Sequence, residues 1–184
     1  MQVMKIIDTP AGYGIISRIF HWGMAIAIFA LFGLGWWMVG LDYYSPYYIS
    51  APNLHRGVGV LLLMALLLRV TWRLVNVRPD DGDLGRTERR AARLAHKAFY
   101  VLLFGLTVSG YLISTTDGRP VNVFGWFSVP SIVQSKAVGE TAGAVHAWLA
   151  YAVIGLALVH AGEAFKHQFV DKQKTLTRMW SGPA

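Results

Sequence analysis

Long uncharged stretches separated by short charged connections dominate the pattern of apolar and polar positions. Residues 19–41, 98–116 and 141–162 contain no Asp, Glu, Lys or Arg. Each stretch meets the requirement of roughly 20 apolar residues for a helix that crosses the hydrocarbon core of a bilayer. The pattern therefore predicts three membrane-spanning helices, and a fourth stretch needs separate treatment.

The fourth apolar stretch, residues 57–68, is shorter and lies between Arg56 and Arg69. It reaches spanning length, at about residues 54–74, only if both arginines extend to the interface or meet buried anions. A short re-entrant helix is the alternative. We favour the span, and we predict a single all-α membrane domain over residues 1–184. The expected four-transmembrane-helix bundle has spans at about 19–41, 54–74, 96–116 and 141–164.

The composition agrees with a membrane protein. Of the 184 residues, 54% are hydrophobic and 15% are charged, whereas a soluble domain carries about 25% charged residues. Cysteine is absent from the sequence, which excludes disulfides, thiolate metal sites and iron–sulfur clusters. The net charge of +7 could indicate a nucleic-acid partner, but the basic residues flank apolar segments instead of clustering on a soluble fold. We expect an integral membrane protein that binds no nucleic acid.

The distribution of Lys and Arg predicts the orientation in the membrane. Of the 17 basic residues, only Arg56, Arg119 and Lys136 fall in the first and third connections, so the other fourteen lie in the two terminal segments and the second connection. Because basic loops stay in the cytoplasm, we expect both termini on the cytoplasmic side of a bacterial inner membrane. Lys5 and Asp8 interrupt the segment before the first span, so we expect that span to be retained and not cleaved as a signal peptide.

Two histidines, His146 and His160, open and close the apolar part of the last span. Fourteen residues advance a helix by about 1400°, roughly 40° short of four turns, so both side chains project from nearly the same face. They are about 21 Å apart along the axis, which is too far for one shared metal ion. The spacing therefore predicts two separate sites, stacked across the membrane.

Each site needs a second histidine from another helix. On the outer side the sequence offers only His55 as a partner for His146. On the inner side His160 could pair with His21, His96 or His167. His167 lies about 10 Å further along the same helix as His160 and cannot oppose it, so we expect it at the surface beside Lys166.

Of the two remaining inner partners, His21 opens the first span and His96 precedes the third in a basic segment. We favour the pair His21–His160. Two imidazoles on different helices are what a six-coordinate b-type haem requires, since the iron takes two axial ligands, and such ligation favours electron transfer over oxygen binding. We predict two haem b groups, with iron held by the pairs His21–His160 and His55–His146.

Basic residues near these histidines are candidates for further roles. Arg56 could pair with a haem propionate or attract an anionic substrate such as superoxide, and the alternative is simple interfacial placement. Arg69, Arg73, His96 and Lys97 could serve a quinone or a propionate on the inner side. No carboxylate pair, nucleophile–base pair or phosphate loop lies inside the spans, so we expect no catalytic side chain.

The sequence also resembles the prokaryotic cytochrome b561 family, which are four-helix membrane cytochromes with two b haems. The resemblance covers nearly the whole chain and is carried by "YGIISRIFHW", "APNLHRGVGVLLLMALLLRVTWR", "ARLAHKAFYVLLFGLTVSGYLIS" and "GAVHAWLAYAVIGLALVHAGEAFKHQFVDKQKTLTRMW". It implies haem ligation by His21, His55, His146 and His160. It also implies electron exchange between the membrane quinone pool, such as ubiquinone, and a partner at the outer face.

Three classes of function follow. The first is a free-standing quinone-linked oxidoreductase, since some proteins similar to this family oxidise superoxide and reduce ubiquinone. The second is a haem b membrane-anchor subunit of a larger respiratory complex, because cytochrome b subunits of hydrogenases and formate dehydrogenases share this haem arrangement. The third is a histidine-lined metal or proton transporter without haem. We disfavour it because transporters gather polar groups along one midplane path and not in two distant pairs.

Overall fold

Four long helices make up most of the protein. The computed structural model describes residues 6–80 and 84–182, so Lys5 lies outside the described residues. All four helices are long and apolar enough to cross a membrane, which confirms the predicted all-α membrane bundle. Their bounds are α1 Ile15–Met38, α2 Ser50–Val75, α3 Arg86–Thr115 and α4 Lys136–Phe165.

Helix α2 settles the question left by the short fourth stretch. It runs without interruption for 26 residues, a length of about 39 Å, so the re-entrant alternative is wrong. Helix α3 begins ten residues before its predicted span and takes in the basic connection. Ala, Arg and Glu are strong helix formers, and the Glu88 carboxylate accepts a 2.9 Å hydrogen bond from the Gly85 N–H at the start of the helix. The basic residues therefore limit the part of α3 that can lie in the hydrocarbon core, but the helix itself continues through them.

A small apolar core joins all four helices. It consists of Met24 in α1, Leu62 and Leu66 in α2, Leu103 in α3 and Val153 in α4. Contacts between α3 and α4 are the most extensive, while α1 and α4 touch over few residues. Many large apolar side chains elsewhere on the helices are exposed, as expected where the surrounding solvent is lipid.

The two ends of the bundle differ in their coverings. At one end the amino-terminal segment, the connection after α2 and the carboxy-terminal tail meet, since the Asp80 N–H donates to the Pro10 carbonyl at 2.9 Å and Arg178 donates to the Asp80 carbonyl at 2.9 Å. We call this the terminal end. The other end carries a β-hairpin and is called the hairpin end.

The hairpin consists of antiparallel strands β1, Val121–Val123, and β2, Phe127–Val129. Its tight turn places Phe124 and Gly125 at positive φ, 54° and 76°. Val123 is fully buried and the Phe124 ring lies over Gly57 of α2, where an added Cβ would be 2.7 Å from Cζ. The pattern of charged and uncharged stretches does not predict this hairpin.

The carboxy-terminal tail folds back onto the terminal end through a π-helical turn, Lys166–Val170, and a short helix α5, Thr175–Trp180. The expectation that His167 lies at the surface is wrong: it is 7% exposed, and its Nδ1 is 2.7 Å from an Asp171 carboxylate oxygen. The returning chain covers it, since the Gln173 N–H donates to the His167 carbonyl at 2.8 Å.

Candidate functional site

At the hairpin end, His55 of α2 faces His146 of α4. Their ring centroids are 6.2 Å apart and the ring planes are inclined by 72°. The His146 Nδ1 lies 2.9 Å from the Leu106 carbonyl, an acceptor that fixes the proton on Nδ1 and leaves the Nε2 lone pair available. The His55 Nδ1 is buried, and the imidazole lies beside the Leu31 backbone of α1.

A cavity of about 620 Å³ lies between the helices at this pair, within the range of roughly 300–1,000 Å³ typical of cofactor sites. It is lined by both histidines and mainly by apolar side chains. Gly59 and Gly143 also line it, and beyond each a Cβ would meet only open space. The cavity is therefore apolar, contains two imidazoles, and has room for a planar group.

Two further glycines set the positions of these rings. A Cβ added to Gly35 of α1 would be 3.1 Å from the His55 Cε1, and one added to Gly110 of α3 would be 2.9 Å from the His146 Cε1. Both distances are tighter than ordinary van der Waals contact. Glycine at these two positions thus lets the helices approach the imidazoles closely.

At the terminal end three histidines converge. His21 of α1 and His160 of α4 have ring centroids 6.3 Å apart, and His96 of α3 lies 5.5 Å from His160. Phe99 packs edge-on against the His160 ring at 5.6 Å. The Arg69 guanidinium acts electrostatically on all three imidazoles. This site is more crowded and more positive than the one at the hairpin end.

The centroid distances test whether a metal ion fits between each pair. An imidazole nitrogen lies about 2 Å from a bound transition-metal ion and about 1.2 Å from its own ring centre, so opposed ligands have centroids roughly 6.4 Å apart. The pairs His55–His146 and His21–His160 match this spacing, at 6.2 Å and 6.3 Å. His96 is closer to His160, at 5.5 Å, and fits an axial position less well.

The structure gives the other predicted residues different surroundings. Arg56 is exposed and acts electrostatically on His55. Arg73 lies 3.9 Å from the buried carboxylate of Asp8, so its guanidinium already has an anionic partner within the protein. Lys97 is exposed on α3. Roles for these residues toward a propionate or quinone stay predictions.

Sequence reasoning missed two supports of the terminal-end site. The Asp8 side chain, fully buried, accepts hydrogen bonds of 2.7 Å from the Gly14 N–H and the Ser17 hydroxyl. Trp22, whose ring is 5.2 Å from that of His21, donates from Nε1 to the Met179 carbonyl at 3.1 Å. The available signals were an acid just before the first apolar span and a tryptophan within that span, but the partner of each can be identified only in the folded chain.

Four membrane helices with two stacked pairs of opposed imidazoles define a class of protein, the b-type membrane cytochrome. The model of one family, prokaryotic cytochrome b561, matches residues 12–182. The chain belongs to this family. It is therefore a bacterial membrane electron-transfer protein that binds haem b.

Two similar proteins from Escherichia coli strain K12 extend the comparison. Cytochrome b561 homolog 2 is 48% identical over 180 residues, which cover 96% of this chain and 95% of the relative. Cytochrome b561 homolog 1 is 23% identical over 167 residues, which cover 86% and 91%. Both matches extend over most of the chain and are not confined to a single motif.

Proposed function

We propose that the protein holds two haem b groups, one between His55 and His146 and one between His21 and His160. It would thereby carry electrons across the membrane between the quinone pool and a partner at the outer face. The observation that carries this proposal is the presence of two cross-helix imidazole pairs whose centroids are 6.2 Å and 6.3 Å apart. When bound, haem b supplies a one-electron ferric–ferrous couple.

The protein's own residues would orient the axial ligands and keep water out. The Leu106 carbonyl accepts from the His146 Nδ1 at 2.9 Å, which fixes the ring and directs Nε2 toward the cavity. The Phe124 ring covers Gly57 at the mouth of the hairpin end. Arg56 at that end and Arg69 at the other lie where they could neutralise acidic groups of the cofactor.

We place the terminal end in the cytoplasm. The amino-terminal segment, the connection after α2 and the tail meet there, and these segments together with the helix ends beside them hold fourteen of the 17 Lys and Arg residues. Such an excess of basic residues keeps loops on the cytoplasmic side of a membrane. The hairpin end then faces the periplasm.

The terminal end is the proposed site of quinone chemistry. Reduction of a quinone needs protons and hydrogen-bond donors as well as electrons. His96 lies 5.5 Å from His160, and the exposed Lys97 follows it on α3. His96 is next to the imidazole that would hold the inner haem, and Lys97 adjoins His96 in the sequence, so a quinone headgroup could contact this part of α3.

Superoxide is the proposed electron donor at the hairpin end. Arg56 follows His55 and is exposed there, which favours the approach of a small anion. Two superoxide ions would lose one electron each to become dioxygen, and the two electrons with two protons would convert a quinone to a quinol. The protein would then act as a superoxide:quinone oxidoreductase.

Purified protein made with adequate haem supply tests the proposal. A pyridine-haemochrome assay should give two b haems per chain, and stopped-flow mixing with superoxide should reduce them. Reoxidation by added ubiquinone should follow. A single haem per chain would disprove one pair. Two haems that react with neither substrate, in protein that co-purifies with a soluble redox subunit, would favour the membrane-anchor function instead.

A further inference from the structure

The first three turns of α3 expose a row of cations. Arg86, Arg90, Arg93 and Lys97 are all exposed. At about 100° per residue, positions four, seven and eleven after Arg86 fall roughly 40°, −20° and 20° from it. The four side chains therefore leave the helix within a sector of about 60°. We call them the basic face of α3.

The same face becomes apolar further along the helix. Val101 and Phe104, about 60° and 0° from Arg86 around the axis, are 71% and 51% exposed. Helix α3 has 30 residues, about 45 Å against a hydrocarbon core of about 30 Å. The excess places the basic face at the level of lipid headgroups, with the apolar residues beside the acyl chains.

Across residues 6–80 and 84–182, these cations have no acidic partner. Within the described residues, Arg86, Arg90 and Lys97 make no hydrogen bond or ion pair, and Arg93 uses only its Nε, toward the Arg89 carbonyl. The nearby acid on α3, Glu88, points to another face, where it lies 4.0 Å from the Lys166 ammonium. The row is therefore open to an external anion.

We propose that the basic face of α3 binds the phosphate headgroups of anionic phospholipids. Arg and Lys donate charge-assisted hydrogen bonds to phosphate oxygens, and clusters of four or more basic residues beside a membrane span attract anionic lipid. The continuation into Val101 and Phe104 favours a lipid over free phosphate, because these side chains would contact the acyl chains of the same molecule. The proposal does not depend on the number of haems.

Native mass spectrometry of the detergent-solubilised holoprotein, mixed with equal amounts of phosphatidylglycerol and phosphatidylcholine, tests the proposal. Wild type should retain phosphatidylglycerol preferentially. The double variant R90Q/R93Q should lose this preference by about tenfold or more, since each basic residue contributes appreciably to such binding. R90K/R93K, which keeps the charge, should retain most of it.

The control removes the same charge at the hairpin end. Arg119 and Lys136 have 85% and 92% of their side chains exposed, so R119Q/K136Q should leave lipid retention unchanged. Equal loss in both glutamine variants would overturn the proposal, as would equal retention of the two lipids by wild type. Displacement of phosphatidylglycerol by excess inorganic phosphate would show a site for phosphate alone and would also overturn it. An unchanged haem spectrum in every variant verifies that the fold is intact.

Discussion

The two histidine pairs have nearly the same spacing but very different surroundings. The hairpin-end pair, His55 and His146, lines an apolar cavity of about 620 Å³ whose described lining includes none of the terminal-end histidines. At the terminal end His21 and His160 share their space with His96 and the charge of Arg69. One scaffold thus repeats the spacing of an imidazole pair while varying charge and polarity around it. These are the variables that tune a redox centre.

The largest expected effect is loss of a single haem when one ligand is removed. H146A should reduce the haem content from two per chain to one, because no other described imidazole lies near His55 at that end. H21A should remove the other haem. Pyridine-haemochrome analysis of purified variants measures both changes.

His167 offers a matched control for these substitutions, and His96 is the competing candidate for the inner ligand. H167A removes an imidazole bonded to Asp171, away from both pairs, and should keep two haems. H96A should keep two as well, because its 5.5 Å distance to His160 fits axial ligation less well than the 6.3 Å of His21. Loss of a haem in H96A, with retention in H21A, would reverse the assignment of the inner ligand.

A second effect should appear only at the hairpin end. A Cβ at Gly110 would lie 2.9 Å from the His146 Cε1, so G110A should displace that ring. Overpacking of this kind costs about 1–3 kcal/mol. We expect a lower thermal midpoint and weaker haem retention at this site, followed by the Soret band during heating.

Gly155 of α4 supplies the control for that substitution. A Cβ there would meet nothing within 4 Å, and alanine is a better helix former than glycine by up to about 1 kcal/mol. G155A should therefore match wild type or exceed it slightly in thermal stability. An equal loss in G155A and G110A would mean that the close approach to His146 is not the cause.

A third, smaller effect distinguishes the charges at the two ends. Arg69 acts on the terminal-end histidines, and a nearby positive charge favours the reduced form of an iron centre. R69Q should lower the potential of the inner haem by roughly 50 mV, about a tenfold change in a one-electron equilibrium. R56Q should instead lower that of the outer haem. Redox titrations of both variants in the H21A and H146A backgrounds, each of which should hold a single haem, assign each shift in potential to one haem. Identical shifts at both haems would contradict a local cause.

The helices and the positions of the histidines along them could be predicted from the sequence because each depends on a local rule, while haem ligation by the two pairs stays a prediction. Uncharged stretches predict spans, and the fourteen-residue spacing of His146 and His160 follows from helix geometry. The terminal-end supports were not predictable in this way. Asp8 reaches Arg73 across 65 positions, and Trp22 reaches Met179 across 157, so these contacts depend on how the chain returns to one place. The prediction that His167 lies at the surface was wrong for the same reason, since the returning tail buries it.

The smallest expected effect concerns acid and belongs to the terminal end alone. Hydrogen bonds from Lys166 and then from His167 lower the pKa of Asp171 below its model-compound value of 3.8. A carboxyl group with a lowered pKa in the folded protein stabilises the fold above its unfolded pKa, and this contribution is lost as the pH falls through the folded pKa. Acidification below about pH 4 should therefore loosen the tail around His167.

Hydrogen–deuterium exchange at pH 3 and pH 6 can detect this loosening. Wild type should exchange faster at the lower pH in residues 166–180, after correction for the intrinsic rate, while β1 and β2 should not change. D171N removes the titrating group, so its tail should exchange similarly at both pH values. The effect will be small because Asp171 is exposed and solvent screens its ion pair. If exchange in the tail and in the hairpin increased equally at low pH, acid would be acting on the whole bundle. The contacts of the Asp171 carboxylate would then not explain a difference between the two ends.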